Sequence, residues 1–166
     1  MREAPLRDYA ETLMAELRLT LEALDQRRHV KHIHWGGGTP SLLPRECLKE
    51  IAEVIRTGVE ILPGCEHAIE LDPRTVTRKL ADTLAKIGAN RVSLGIQDFV
   101  PNIQLAIGRV QPFAHFEHAV SMLKDARLTH ICFDLMYGLP YQGEDQLAAT
   151  IELATSLRPS QTALFG

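Results

Sequence analysis

The sequence predicts an α/β fold, a partial (βα) barrel of about five parallel strands with helices on the outer face. Two observations predict it. Short segments with strand alternation are separated by single segments with helical periodicity, and each strand-like segment has one apolar face and one small or polar face. Single-helix crossovers between short strands require right-handed connections and so a parallel sheet. A complete doubly wound domain is the rival architecture.

The elements follow in order. Tyr9, Leu13, Leu17, Leu21 and Leu24 recur at steps of three or four, which predicts an amphipathic helix starting near Asp8. Val30 to Trp35 alternates like a strand, and Pro44 then suits the first turn of a helix with the stripe Leu48, Ile51, Ala52, Ile55, ending at Gly58. A strand over His67 to Leu71 precedes a helix with Val76, Leu80, Leu84 and Ile87, closed by Gly88 as a left-handed cap. A strand at Arg91 to Gln97, helical segments between Pro101 and Arg127, a strand at His130 to Met136, a helix at Glu144 to Leu157 and a last strand near Thr162 to Phe165 complete the series.

Parity along the strands indicates what the sheet encloses. Val92, Leu94 and Ile96 point one way and Ser93, Gly95 and Gln97 the other; Ile69 and Leu71 oppose Glu70; Ile131, Phe133 and Leu135 oppose Cys132 and Asp134. A sheet buried on both faces reads as continuous Val, Ile and Leu. These strands instead predict a lumen with room for a polar ligand. Glu70, Gln97 and Asp134 stand at the carboxyl ends of their strands, where parallel α/β proteins hold substrates and cofactors.

The stretch His32–Ser41, HIHWGGGTPS, belongs to the same end of the sheet. Glycines there let the backbone take positive φ and let a ligand approach the main chain. Two carboxylates and a carboxamide offer acceptors for hydroxyls and ammonium groups, so a small zwitterionic or sugar-bearing molecule fits and a bare phosphate does not. Glu70 and Asp134 would serve as an acid and base pair only at a particular separation and with one raised pKa. His32 and His34 share a strand face, either as a metal pair or as polar lining. Arg109 is either a surface charge or a clamp on a carboxylate. The Gly and Pro of Tyr137–Pro140 answer to turn geometry.

At 166 residues the chain is long enough for one domain with a sizeable core. Hydrophobic content of 45% and net charge of −3 are those of a soluble globular protein without a basic face, which argues against nucleic acid as a partner. No apolar run reaches membrane-spanning length and the first residues lack a signal pattern, so a cytoplasmic location is expected. Cys47, Cys65 and Cys132 match neither a zinc nor a disulfide spacing and read as small buried residues in a reducing compartment.

The segments WGGGTP, IELDPR, SLGIQDF, AIGRVQ and FDLMYGLP, in this order, resemble the central barrel of the radical S-adenosylmethionine enzymes, and most of all the oxygen-independent coproporphyrinogen III oxidase family. Gln97-Asp98-Phe99 and Asp72-Pro73-Arg74 favour that family over the related haem chaperones, which bind haem without catalysis and are the alternative reading. The resemblance implies a fold of the radical S-adenosylmethionine barrel type. It also implies that Gly37, Gly38, Thr39, Glu70, Gln97, Arg109 and Asp134 bind S-adenosyl-L-methionine. The implied reaction is oxidative decarboxylation of the small-molecule substrate coproporphyrinogen III to protoporphyrinogen IX through a deoxyadenosyl radical, with a 4Fe-4S cluster. An unrelated sugar or phosphate enzyme is a third reading, and would bind phosphorylated ligands instead.

The sequence departs from that family in its cysteines. The cluster needs Cys-x-x-x-Cys-x-x-Cys, a spacing absent among Cys47, Cys65 and Cys132. The expectation is a single partial barrel domain over residues 1–166, cut from a longer enzyme rather than a degenerate binder, inactive alone and lacking cluster ligands. Its two sheet edges would then invite self-association.

Overall fold

The computed structural model describes residues 3–24, 26 and 28–166. Five parallel strands lie in the order β1-β2-β3-β4-β5, each paired with the one before it in sequence. They are β1 (His29–Trp35), β2 (Glu60–Leu71), β3 (Arg91–Gln97), β4 (His130–Met136) and β5 (Gln161–Phe165). Helices α1 (Glu3–Glu22), α2 (Arg45–Gly58), α3 (Arg78–Lys86), α4 (Pro101–Ala106), α5 (Phe113–Asp125) and α6 (Glu144–Ser156) alternate with them. The sheet curls into part of a βα barrel, the architecture expected.

The apolar strand face makes the core. Ile69, Val92, Leu94, Ile96, Ile131, Phe133 and Leu135 are buried against Leu48 and Ile51 of α2, Leu80 and Leu84 of α3, and Phe116, Val120 and Leu123 of α5. Burying side chains of this size contributes about 1.5–3 kcal/mol each, which fixes the strand parity. Thr77 caps α3 by accepting from Leu80 N at 3.2 Å, and Gly88 closes it at φ +87° as its position predicted.

Two elements are longer or more divided than the pattern suggested. β2 starts at Glu60, not His67, because His29 and Val30 pair with Glu60 and Ile61; the surplus residues up to Glu66 are absorbed by a register shift with Gly64 at φ +78°. Pro63-Gly64 lies within β2 as a bulge. Asn90 stitches that bulge to β3, donating to Cys65 O at 2.8 Å and accepting from His67 N at 2.9 Å. Helix α1 begins at Glu3, ahead of Asp8; it buries Ala10 and Met14 and leaves Tyr9 exposed.

His67 is packed under the sheet, where its Nε2 accepts a hydrogen bond from the Trp35 indole at 2.6 Å. That contact requires a neutral ring, and burial lowers the His67 pKa. A folded pKa below the unfolded one means that the unfolded chain binds more protons in between, so this stability is present above the ordinary His value near 6.5 and is lost as pH falls below it. The expected result is a melting temperature that drops on mild acidification, less so in His67→Gln; equal slopes in the two proteins would contradict it.

Candidate functional site

The carboxyl ends of the strands and the loops that follow them enclose a polar cavity of about 220 Å³. Gly38, Thr39, Glu70, Gln97, Arg109 and Asp134 all line it. Gly37, grouped with them from the sequence, is not in the lining; at φ +82° it turns the chain after β1. Asp72, Ser93 and Gly95 complete the polar wall.

Each side chain is delivered by a separate local feature. Glu70 and Asp134 follow from β2 and β4 parity, on the face opposite Ile69 and Phe133. Gln97 stands where the β3–β4 register shifts and adopts φ +65°, a left-handed conformation that costs a non-glycine residue about 1 kcal/mol or more. Its Oε1 is buried without a donor. Arg109 comes from the α4–α5 loop, whose Gly108 has φ +66° and whose Arg109 N donates to Gln104 O at 2.8 Å. Gly95 has no side chain where one would meet Gln97 Nε2 at 3.1 Å and Arg109 Nη2 at 3.6 Å, so it leaves room for both groups to enter the cavity.

The electrostatics are unequal. Asp72 is held below the usual carboxylate range chiefly by hydrogen bonds from Arg74, whose Nη2 lies 2.6 Å from its Oδ2. The Arg109 guanidinium, whose charge also bears on Asp72, makes no hydrogen bond or ion pair among the described residues and is open to an anion. Asp134 has its pKa raised, first by burial and then by the Glu70 charge, so the two acids share one electrostatic environment. A cationic group between them would relieve both.

The glycine run has a different rationale at each residue. A Cβ on Gly36 would lie 2.8 Å from His34 Nε2 and 3.1 Å from Glu70 Oε1, so this first glycine exists for close passage over a side-chain pair. Gly37 supplies the turn, and Gly38 the open wall. Because both obstructing atoms are ends of exposed side chains, Gly36→Ala is expected to change stability by less than about 1 kcal/mol while displacing Glu70. Ligand affinity measured beside the thermal midpoint checks this; a large midpoint drop with intact affinity would refute it.

Sequence reasoning missed the frame beneath the cavity. Asp98, fully buried, accepts from Val100 N at 2.6 Å, Gln142 Nε2 at 2.7 Å and Thr150 Oγ1 at 3.0 Å. Gln104 Nε2 donates to Asp98 O and Gln111 O, both at 2.8 Å, and Gln104 Oε1 accepts from Gln111 N at 3.0 Å. This frame joins the segment bearing Gln97 to the loop bearing Arg109. Its signal in the sequence was the acid directly after a strand, with uncharged glutamines at positions of apolar surroundings.

The profile of the Radical SAM superfamily matches residues 3–154. An oxygen-independent coproporphyrinogen III oxidase of Paracoccus denitrificans is 37% identical over 164 residues, which cover 99% of this chain and 36% of that protein. Its counterpart in Bradyrhizobium diazoefficiens is 39% identical over 158 residues, 95% of this chain and 35% of that protein. Among solved structures, coproporphyrinogen III oxidase from Escherichia coli, described as a radical SAM enzyme, superposes with a TM-score of 0.90 at 28% identity, covering 99% of this chain and 38% of that one. The chain thus spans little more than a third of the length of the relatives it matches.

Proposed function

The chain belongs to the Radical SAM superfamily, and from that membership we propose that its cavity binds S-adenosylmethionine in a cytoplasmic enzyme that decarboxylates coproporphyrinogen III oxidatively without oxygen. One observation carries this reading: a guanidinium without a hydrogen-bond partner, the carboxylates of Glu70, Asp72 and Asp134, and a carboxamide line a single cavity. S-adenosylmethionine presents a carboxylate, an ammonium, a sulfonium and ribose hydroxyls, and the inventory answers each. In this reading Arg109 holds the carboxylate, Glu70 and Asp134 take the cationic groups or hydroxyls, Gln97 adds donors and an acceptor, and Gly38 and Thr39 close the wall. A cavity of about 220 Å³ is smaller than the ~300–1,000 Å³ of whole small-molecule sites. It therefore grips the charged parts of a ligand whose remainder lies in the open lumen.

When bound, the cofactor supplies the deoxyadenosyl radical that characterises the superfamily's chemistry. The chain's own residues bind it, orient it and keep its charges paired. No helix among the described residues is long and apolar enough to cross a membrane, and the three buried free thiols suit a reducing compartment.

The cluster does not fit this chain. Cys47, Cys65 and Cys132 are buried on α2, β2 and β4, and the described residues hold no group of three or more His, Cys, Asp or Glu able to bind a metal. In this reading the cluster thiolates lie outside the 166 residues, and the chain is one partial barrel domain of a longer enzyme. After anaerobic incubation with iron and sulfide, the purified chain is expected to retain iron only at background; a stable four-iron cluster would overturn that.

Calorimetric titration of the full chain with S-adenosylmethionine tests the cavity. Binding is expected, and Arg109→Ala is expected to weaken it about tenfold or more through loss of a bidentate carboxylate contact. No binding, or equal binding by the variant, would refute the assignment.

A further inference from the structure

Beyond the groups already assigned to the cavity, we infer that His34 is a positioning residue for Glu70, holding one carboxylate oxygen so that the other faces the ligand. The inference rests on the reading of the cavity as an S-adenosylmethionine site. His34 Nε2 lies 3.0 Å from Glu70 Oε1. An ionised carboxylate only accepts, so the imidazole donates through Nε2, which both the neutral Nε2–H tautomer and the imidazolium can do.

The contact is built for orientation and not for stability. Both side chains are about half exposed, 57% and 46%, and a pair in that setting contributes about 0–1 kcal/mol to the fold. Yet the backbone is shaped around it: only a glycine at position 36 clears both His34 Nε2 and Glu70 Oε1. The other histidines of β1 lack this arrangement. His29 meets Glu60 at 3.1 Å at the far end of the strand, and His32 is 3.9 Å from Glu66, whose carboxylate already accepts from Arg91 at 2.9 Å. Neither of those pairs lines the cavity, whereas Glu70 does.

A carboxylate with one oxygen fixed has lost the rotation that would otherwise be ordered only when the ligand arrives, so affinity gains from preorganisation. The test is calorimetric titration of the full chain with S-adenosylmethionine, with thermal midpoints measured alongside. His34→Ala is expected to weaken binding about five- to tenfold with little change in midpoint, the size of one ordinary net hydrogen bond. His34→Gln restores most of the affinity, because its amide N–H reaches the place of Nε2. In a Glu70→Gln background, His34→Ala adds little further loss.

Undiminished loss in that background, or His34→Gln binding as weakly as His34→Ala, would overturn the inference. If Glu70→Gln weakens binding and His34→Ala does not, the inference alone fails. If wild type does not bind, or Glu70→Gln binds as wild type does, the cavity assignment itself fails.

Discussion

Replacing Asp98 with alanine is expected to lower the unfolding free energy by about 3–4 kcal/mol, the cost of removing one partner from a buried charged network. The carboxylate is fully buried and satisfies three donors, the Val100 amide, the Gln142 amide group and the Thr150 hydroxyl. Truncation would leave the Val100 amide and the Thr150 hydroxyl without this acceptor and the Gln142 amide with Met136 O alone, around a side chain that is fully buried. Asp98→Asn should cost less, since its oxygen still accepts while its amide nitrogen faces the Gln142 donor. Chemical denaturation checks both, and a loss below about 1 kcal/mol for the alanine variant would contradict the network's role. The variant should also weaken ligand binding, because Asp98 locks the chain immediately after Gln97 and offsets the strain of that residue's left-handed backbone.

The second large effect concerns Asp134. Its carboxyl is held toward the protonated form, first by burial and then by Glu70. A raised folded pKa gives stability that is full below the ordinary value near 3.8 and lost as pH rises through the raised value. A cationic ligand reverses the preference, because it favours the ionised form. Affinity for S-adenosylmethionine should therefore strengthen as pH rises from the ordinary value near 3.8 through the raised one, with proton release on binding. Asp134→Asn should weaken binding about tenfold at neutral pH and flatten that dependence. Titrations at several pH values in buffers of different ionisation enthalpy would show it; an unchanged slope in the variant would exclude Asp134 as the titrating group.

Much of this arrangement was legible in the sequence, for physical reasons. Strand parity placed Ile69, Val92 and Phe133 inward and Glu70 and Asp134 toward the lumen, because a period of two leaves no freedom once one face is buried. Gly88 marked its own left-handed cap for a similar reason. What escaped was set by contacts between distant segments. Arg109 was equally readable as a surface charge, and only the tie between Gln104 and its loop brings it into the cavity. Pro63-Gly64 has the composition of a turn, and pairing with His29 and Val30 drew it into β2 instead. The reason for Gly36 lies in a side chain two residues earlier and in a carboxylate on the next strand, neither visible in a glycine run. Asp98 carried part of the family resemblance in Gln97-Asp98-Phe99, but its role as a buried acceptor did not show, because burial is not written locally.

The strand order bears on how the molecule is made. Among the described residues every strand after β1 pairs with the one that precedes it in the chain, and no later strand is inserted between two earlier ones. Each new strand and helix can therefore dock on a surface completed before it leaves the ribosome, without reopening any ladder, so acquisition of structure can keep pace with translation from the amino terminus onward.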